Sequence, residues 1–180
     1  TVASTPQAAF DSPSIAPLPQ RILLVENSRT FTTMLREAIE QRLELPVSVN
    51  IGARQLQHAH FVERLKATLA QHPSFKPGDL EMEVLETSAL KDLERVSRII
   101  EACRAIGVEF SLDDFGTGYS SLTYLKRLSV TQLKIDQSFV RDMLDDPEDL
   151  AILEGVLGLA TAFRRKVIAE GVETVEHGEM

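Results

Sequence analysis

Apolar positions along the chain follow two periods. Short continuous or alternating apolar runs of about 4–8 residues predict strands, and apolar residues three and four apart predict helices. Arg21-Ile22-Leu23-Leu24-Val25 predicts a first strand. Phe31 to Gln41 predicts a first helix, with Phe31, Met34, Leu35, Ala38 and Ile39 at helical spacing. Further strands are predicted at Val47 to Asn50, Leu80 to Leu85, Glu109 to Asp113, Gln132 to Asp136 and Lys166 to Glu170. Helices are predicted between them: Phe61 to Ala70, stopped near Pro73; Leu93 to Ile106, closed by Gly107; Leu122 to Leu128; and Leu150 to Phe163. Strand alternating with helix predicts an α/β fold with a parallel sheet and right-handed crossovers.

Residues 1–19 break this rhythm. Pro, Ser, Thr, Ala and Gln dominate there, with one charged residue, so the segment is expected to be a disordered linker. No apolar run approaches the roughly 20 residues a membrane span needs, and none is expected. Nor does a basic-then-apolar signal open the chain. The single cysteine, Cys103, cannot form an internal disulfide, which with the missing signal points to the cytoplasm.

The net charge of −8 argues against DNA as a partner, because no excess of Lys and Arg is available to neutralise phosphates. With no Trp and few aromatic residues, a base-stacking platform is not evident. An anionic ligand would need its charge cancelled locally, and a divalent cation is the obvious means.

The predicted strand ends carry the chemistry. Asn50, Glu83, Asp113, Asp136 and Glu170 each sit in or at the end of a strand, 33, 30, 23 and 34 residues apart, about one strand-helix unit each time. In parallel α/β folds these ends share one face. Five oxygen-bearing side chains then converge, a donor set for Mg²⁺ or Mn²⁺ rather than a soft metal. Two such ions about 4 Å apart suit phosphodiester hydrolysis. The plainer expectation is that these are loop residues or caps of the helices that follow.

Leu112-Asp113-Asp114-Phe115-Gly116-Thr117-Gly118-Tyr119-Ser120-Ser121-Leu122 is the most specific stretch: adjacent carboxylates, then a glycine-rich turn, then a helix start. With it go Ser48-Val49-Asn50-Ile51, Ala53-Arg54-Gln55-Leu56, Glu83-Val84-Leu85-Glu86-Thr87-Ser88, Leu133-Lys134-Ile135-Asp136-Gln137-Ser138-Phe139-Val140 and Val167-Ile168-Ala169-Glu170-Gly171-Val172-Glu173-Thr174. In order and spacing these resemble the EAL-domain family, the cyclic-di-GMP phosphodiesterases of bacterial signalling, over about residues 46–180. The resemblance implies a TIM-barrel-like (βα) repeat that hydrolyses cyclic di-GMP to linear pGpG with two Mg²⁺ or Mn²⁺ ions. It implies Asn50, Glu83, Asp113, Asp114 and Asp136 as metal ligands. Lys134 would orient the attacking water or stabilise the phosphate, and Glu170 would act as general base. Glu86 would anchor the loop of Phe115, Gly116, Thr117 and Gly118, which couples the site to a homodimer.

Two parts of the family pattern are missing. The Glu-Ala-Leu motif, with a ligand glutamate and a substrate-binding arginine, does not appear before Asn50. Strands expected beyond Glu170 are also absent, so the barrel is expected to be incomplete, with six of eight strands and truncation at both ends. Residues 20–45 resemble instead the opening strand and helix of a response-regulator receiver domain. Three segments follow: the linker, this receiver-like unit, and a partial barrel over 46–180. The receiver-like unit would fill the lost barrel slot, with Glu26 near the missing glutamate's place. The alternatives to a phosphodiesterase are a non-catalytic binding or regulatory module, or a fragment that needs a partner.

Other residues read as ordinary. His58, His60 and His72 lack metal-ligand spacing, Cys103 falls on an apolar helix face, and Asp142, Asp145, Asp146, Glu148 and Asp149 read as a solvated turn and helix start rather than a calcium loop.

Overall fold

The computed structural model describes residues 23–25, 47–89, 92–117 and 122–180. The linker 1–19, the helix expected at Phe31 to Gln41, Glu26 and Gly118 lie outside the described residues. Six strands form one sheet: β1 (Leu23–Val25), β2 (Val47–Asn50), β3 (Leu80–Leu85), β4 (Glu109–Phe115), β5 (Gln132–Ile135) and β6 (Lys166–Ala169). They lie side by side in chain order, and every neighbouring pair is parallel. All six coincide with predicted strands, and the α/β repeat expected from the sequence is the observed fold.

Helices occupy the connections: α1 (Ala53–Leu56), α2 (Phe61–Ala70), α3 (Glu86–Ala89), α4 (Leu93–Arg104), α5 (Leu122–Arg127), α6 (Gln137–Asp142), α7 (Pro147–Ala162) and α8 (Val175–Glu179). Their ends follow local chemistry. Asp92 caps α4 by accepting the Arg95 amide at 3.3 Å. Gly107 closes the same connection at φ 88°, where an added Cβ would lie 2.9 Å from the Pro77 backbone. Asp146 caps α7, accepting the Glu148 amide at 2.8 Å with Pro147 in the first turn, so the acidic run does read as a helix start. Among the described residues no helix is long and apolar enough to cross a membrane.

The two faces of the sheet differ. Val47 and Val49, Met82 and Val84, Phe110 and Leu112, and Leu133 and Ile135 are buried with Leu56, Leu65, Val96, Ile100, Cys103, Val140 and Val156 from the helices. Each large apolar side chain contributes about 1.5–3 kcal/mol by leaving water. The intervening positions belong to the opposite face by the two-residue period of a strand. They read Ser48 and Asn50, Glu81 and Glu83, Ser111 and Asp113, Gln132 and Lys134. Parallel sheets are usually apolar on both faces. Here one face is polar, and it leads to the strand ends that the sequence marks.

Candidate functional site

Lys134, the third residue of β5, stands at the centre of the polar face. Its Nζ donates to Glu83 Oε2 on β3 at 2.8 Å and to Asp113 Oδ1 on β4 at 3.1 Å, and pairs with Glu170 Oε1, just past β6, at 2.6 Å. The lysine is only 6% exposed. Burial by itself would lower its pKa. The hydrogen bonds it donates to Glu170 and Glu83 and the charges of Glu83 and Asp113 outweigh that burial and hold the ammonium above the ordinary lysine range. It is a fixed positive charge enclosed by carboxylates.

Two adjacent aspartates reach this place because β4 is irregular. Leu112 pairs with Leu133, but Phe115 pairs with Ile135, so three steps on β4 oppose two on β5. This bulge is centred on Asp114, whose φ of 53° lies in the left-handed region that Asp tolerates better than most residues. In a regular strand Asp113 and Asp114 would point to opposite faces. Instead Asp113, Asp114 and Glu170 each bring a ligand-capable oxygen within 4.8 Å of the others. Burial raises the Asp114 pKa, and the charges of Asp113, Asp136 and Glu170 and a hydrogen bond with Asp136 raise it further. Burial and the neighbouring carboxylates thus both oppose ionisation of Asp114. The donors are all hard oxygens, so the cluster fits Mg²⁺, Mn²⁺ or a similar ion.

The other expected site residues are placed as follows. Asn50 ends β2 directly beside Glu83 in the ladder. Asp136 caps α6, accepting the Ser138 amide at 2.9 Å and the Ser138 hydroxyl. It serves as a helix cap while also facing Asp114. Glu86 is the first residue of α3, is 1% exposed, and accepts the Gly116 amide at 3.2 Å. Gly116 has φ 105°, and a Cβ there would stand 3.0 Å from the Phe139 ring. Thr117 Oγ1 donates to the Asp114 carbonyl at 2.9 Å, tying the turn back to the bulge. Phe115 is buried in the core as the last residue of β4. The strand therefore runs two residues beyond the predicted end at Asp113.

Two further residues belong to this polar face. Ser48 donates its hydroxyl to Glu83 Oε1. Glu81 accepts from Gln132 Nε2 at 3.0 Å, and its pKa is raised, chiefly by burial, with the charge of Glu83 adding to the effect. Both alternate with apolar neighbours in the sequence, and Ser48 also opens the Ser48-Val49-Asn50-Ile51 segment.

The EAL domain family model matches residues 21–180. Because that match runs across residues 21–45, the reading of 20–45 as a receiver fragment finds no support. Of that segment the described residues are Leu23–Val25, which pair in parallel with β2. The chain is 43% identical over 128 residues to the Pseudomonas aeruginosa protein named bifunctional diguanylate cyclase/cyclic di-GMP phosphodiesterase MucR, covering 71% of this chain and 18% of the relative. It is 33% identical over 177 residues to cyclic di-GMP phosphodiesterase PA2567 of the same organism, covering 94% of this chain and 30% of the relative. The solved structure named PaMucR Phosphodiesterase, c-di-GMP complex, superposes with a TM-score of 0.76 at 38% identity, covering 82% of this chain and 63% of that one. The chain thus spans less than a third of the length of these two curated relatives.

Proposed function

The chain belongs to the EAL domain family, and from that membership we propose that it is a cyclic-di-GMP phosphodiesterase of bacterial second-messenger signalling, cutting one phosphodiester bond of cyclic di-GMP to give linear pGpG. The observation that carries this reading is the cluster of Asp113, Asp114 and Glu170 oxygens within 4.8 Å of one another, beside the buried ammonium of Lys134. The relatives' names point the same way, two of them cyclic di-GMP phosphodiesterases and one a complex with c-di-GMP.

Asp113, Asp114 and Glu170 would hold Mg²⁺ or Mn²⁺, with Glu83, Asn50 and Asp136 completing a two-ion site. Bound there, the ions supply Lewis-acid charge for the phosphate and lower the pKa of an attacking water. The chain's own groups do the rest. Lys134, fixed by three carboxylates, places a positive charge where the phosphate gains negative charge as the water oxygen adds to phosphorus and a ribose oxygen leaves. Glu170 is the most exposed of the four ionic groups, with 33% of its side chain accessible. Its carboxylate takes the proton the water loses. Glu86, through Gly116, holds the turn that follows the paired aspartates, and this turn is the element through which pairing of two chains would reach the site.

The test is turnover. The purified chain is incubated with cyclic di-GMP and Mn²⁺, and pGpG is sought by chromatography beside a Glu170→Ala control. Metal-dependent product that vanishes in the control is expected. No product from the unaltered chain would overturn the assignment of this activity to it.

A further inference from the structure

Ser48 lies on β2 two residues before Asn50 and is 5% exposed. In the ladder it stands opposite Glu81, not Glu83. Its hydroxyl nevertheless reaches diagonally to Glu83 Oε1, while the other oxygen, Oε2, accepts from Lys134 Nζ at 2.8 Å. The two oxygens of this buried carboxylate are therefore held by donors from two different strands, β2 and β5. A glutamate has three side-chain torsions, and a single contact leaves the carboxylate free to turn about it; two contacts on opposite oxygens fix its plane. Lys134 cannot fix that plane alone, because its ammonium is shared with Asp113 and Glu170.

We propose that Ser48 is a positioning residue for the cation site: its hydroxyl locks the Glu83 carboxylate so that Oε2 faces the space between Lys134 and Asp113. The inference rests on the metal reading above and on Glu83 as one of the ligands. Groups that orient a ligand from behind commonly set metal affinity as strongly as 10–100-fold. Ser48 has the geometry for that role, since it touches the ligand on the oxygen turned away from Lys134. A serine that merely filled space would be replaceable by alanine without effect on the ion.

The experiment is calorimetric titration of the full chain with Mn²⁺ in the absence of nucleotide, with thermal unfolding measured in parallel. Ser48→Ala is expected to weaken Mn²⁺ binding by about 10-fold or more, and Ser48→Thr, which keeps the hydroxyl, to restore most of the affinity. Should the alanine variant fail to fold, Ser48→Cys keeps the size but offers only a weak donor, and it carries the same expectation. Wild-type affinity in a folded alanine or cysteine variant overturns the role of Ser48, as does a threonine variant no better than alanine. If the unaltered chain binds no Mn²⁺, the metal reading itself fails and takes this inference with it.

Discussion

Lys134→Met keeps the length of the side chain and removes its charge. Three carboxylates then lose the cation that now stands 2.6–3.1 Å from them. The side chains of Glu83 and Asp113 are only 3% and 12% accessible, so water cannot take over the role of the ammonium there. Glu170 is accessible enough that its share is screened, and it adds little. Breaking a buried ion pair from one side costs about 3–5 kcal/mol, against a total stability of about 5–15 kcal/mol for a domain. At this chain length 1 kcal/mol moves Tm by about 2–4 °C, so the variant should melt roughly 6–20 °C below the parent.

The assay is thermal unfolding by circular dichroism at pH 7 with a chelator present. The sign with pH follows from the raised pKa of Lys134. A cation whose folded pKa is raised contributes fully below the ordinary lysine value of about 10.4 and loses that contribution as pH climbs through the folded value. The gap between parent and variant should therefore stay level through neutral pH and close only in strong alkali. A variant melting within about 2 °C of the parent at pH 7, less than 1 kcal/mol is worth, would refute the account of a buried charge balanced by three acids.

Other expectations are simpler. Asp114→Asn should raise Tm of the metal-free protein at neutral pH, because the raised Asp114 pKa means its ionisation opposes folding as pH rises past the ordinary aspartate value; Asn also tolerates the positive φ. The same variant should bind Mn²⁺ more weakly by calorimetry, and a lower Tm without metal would contradict the crowding of acids described here. Gly116→Ala should cost about 1–3 kcal/mol in urea unfolding, from its φ of 105° and the 3.0 Å approach to Phe139; an unchanged midpoint would show that the turn relaxes freely. Cys103 is buried on α4, which pushes its thiol pKa up to about 12. It should resist a thiol reagent at pH 8 in the native protein and react promptly in denaturant, and fast native labelling would refute its packing.

Much of the fold was legible because strand and helix here differ in period over enough residues to be unmistakable. The six strands were found from apolar runs, and the polar column from where those runs end. The bulge at Asp114 was not legible. It depends on how β4 pairs with β5, a relation between Leu112–Phe115 and Leu133–Ile135 that no local pattern encodes. For the same reason Phe115 read as a loop residue and proved to be core. The start of α7 was misplaced from Pro147 to Leu150 because apolar spacing begins only at Leu150, although Asp146 and Pro147 already carried the cap. Residues 20–45 suggested a receiver because an apolar strand followed by an acid is common to many parallel α/β proteins. Motif order singles out Lys134 and Glu83, but the sharing of one ammonium by Glu83, Asp113 and Glu170 follows only from how the strands pair. Ser48 gave no signal beyond opening its segment, since a serine between two valines reads as an unremarkable strand residue.

The irregular pairing of β4 also determines which kinds of genetic change this strand can absorb. Replacing Asp113 or Asp114 removes one carboxylate of the cluster and leaves the strand's residue count intact. Deleting either residue cancels the two-against-one mismatch and returns β4 to an even pleat. Leu112 and the phenylalanine then stand two residues apart, as Leu133 and Ile135 do, so Phe115 keeps its core face and its ladder partner, and the one aspartate left faces the polar side. In a library built from substitutions, losses at this strand should be graded by chemistry. Deleting Asp113 or Asp114 gives one and the same sequence, a regular strand with a single aspartate, which should spare the fold and lose only the carboxylate pair that the bulge presents.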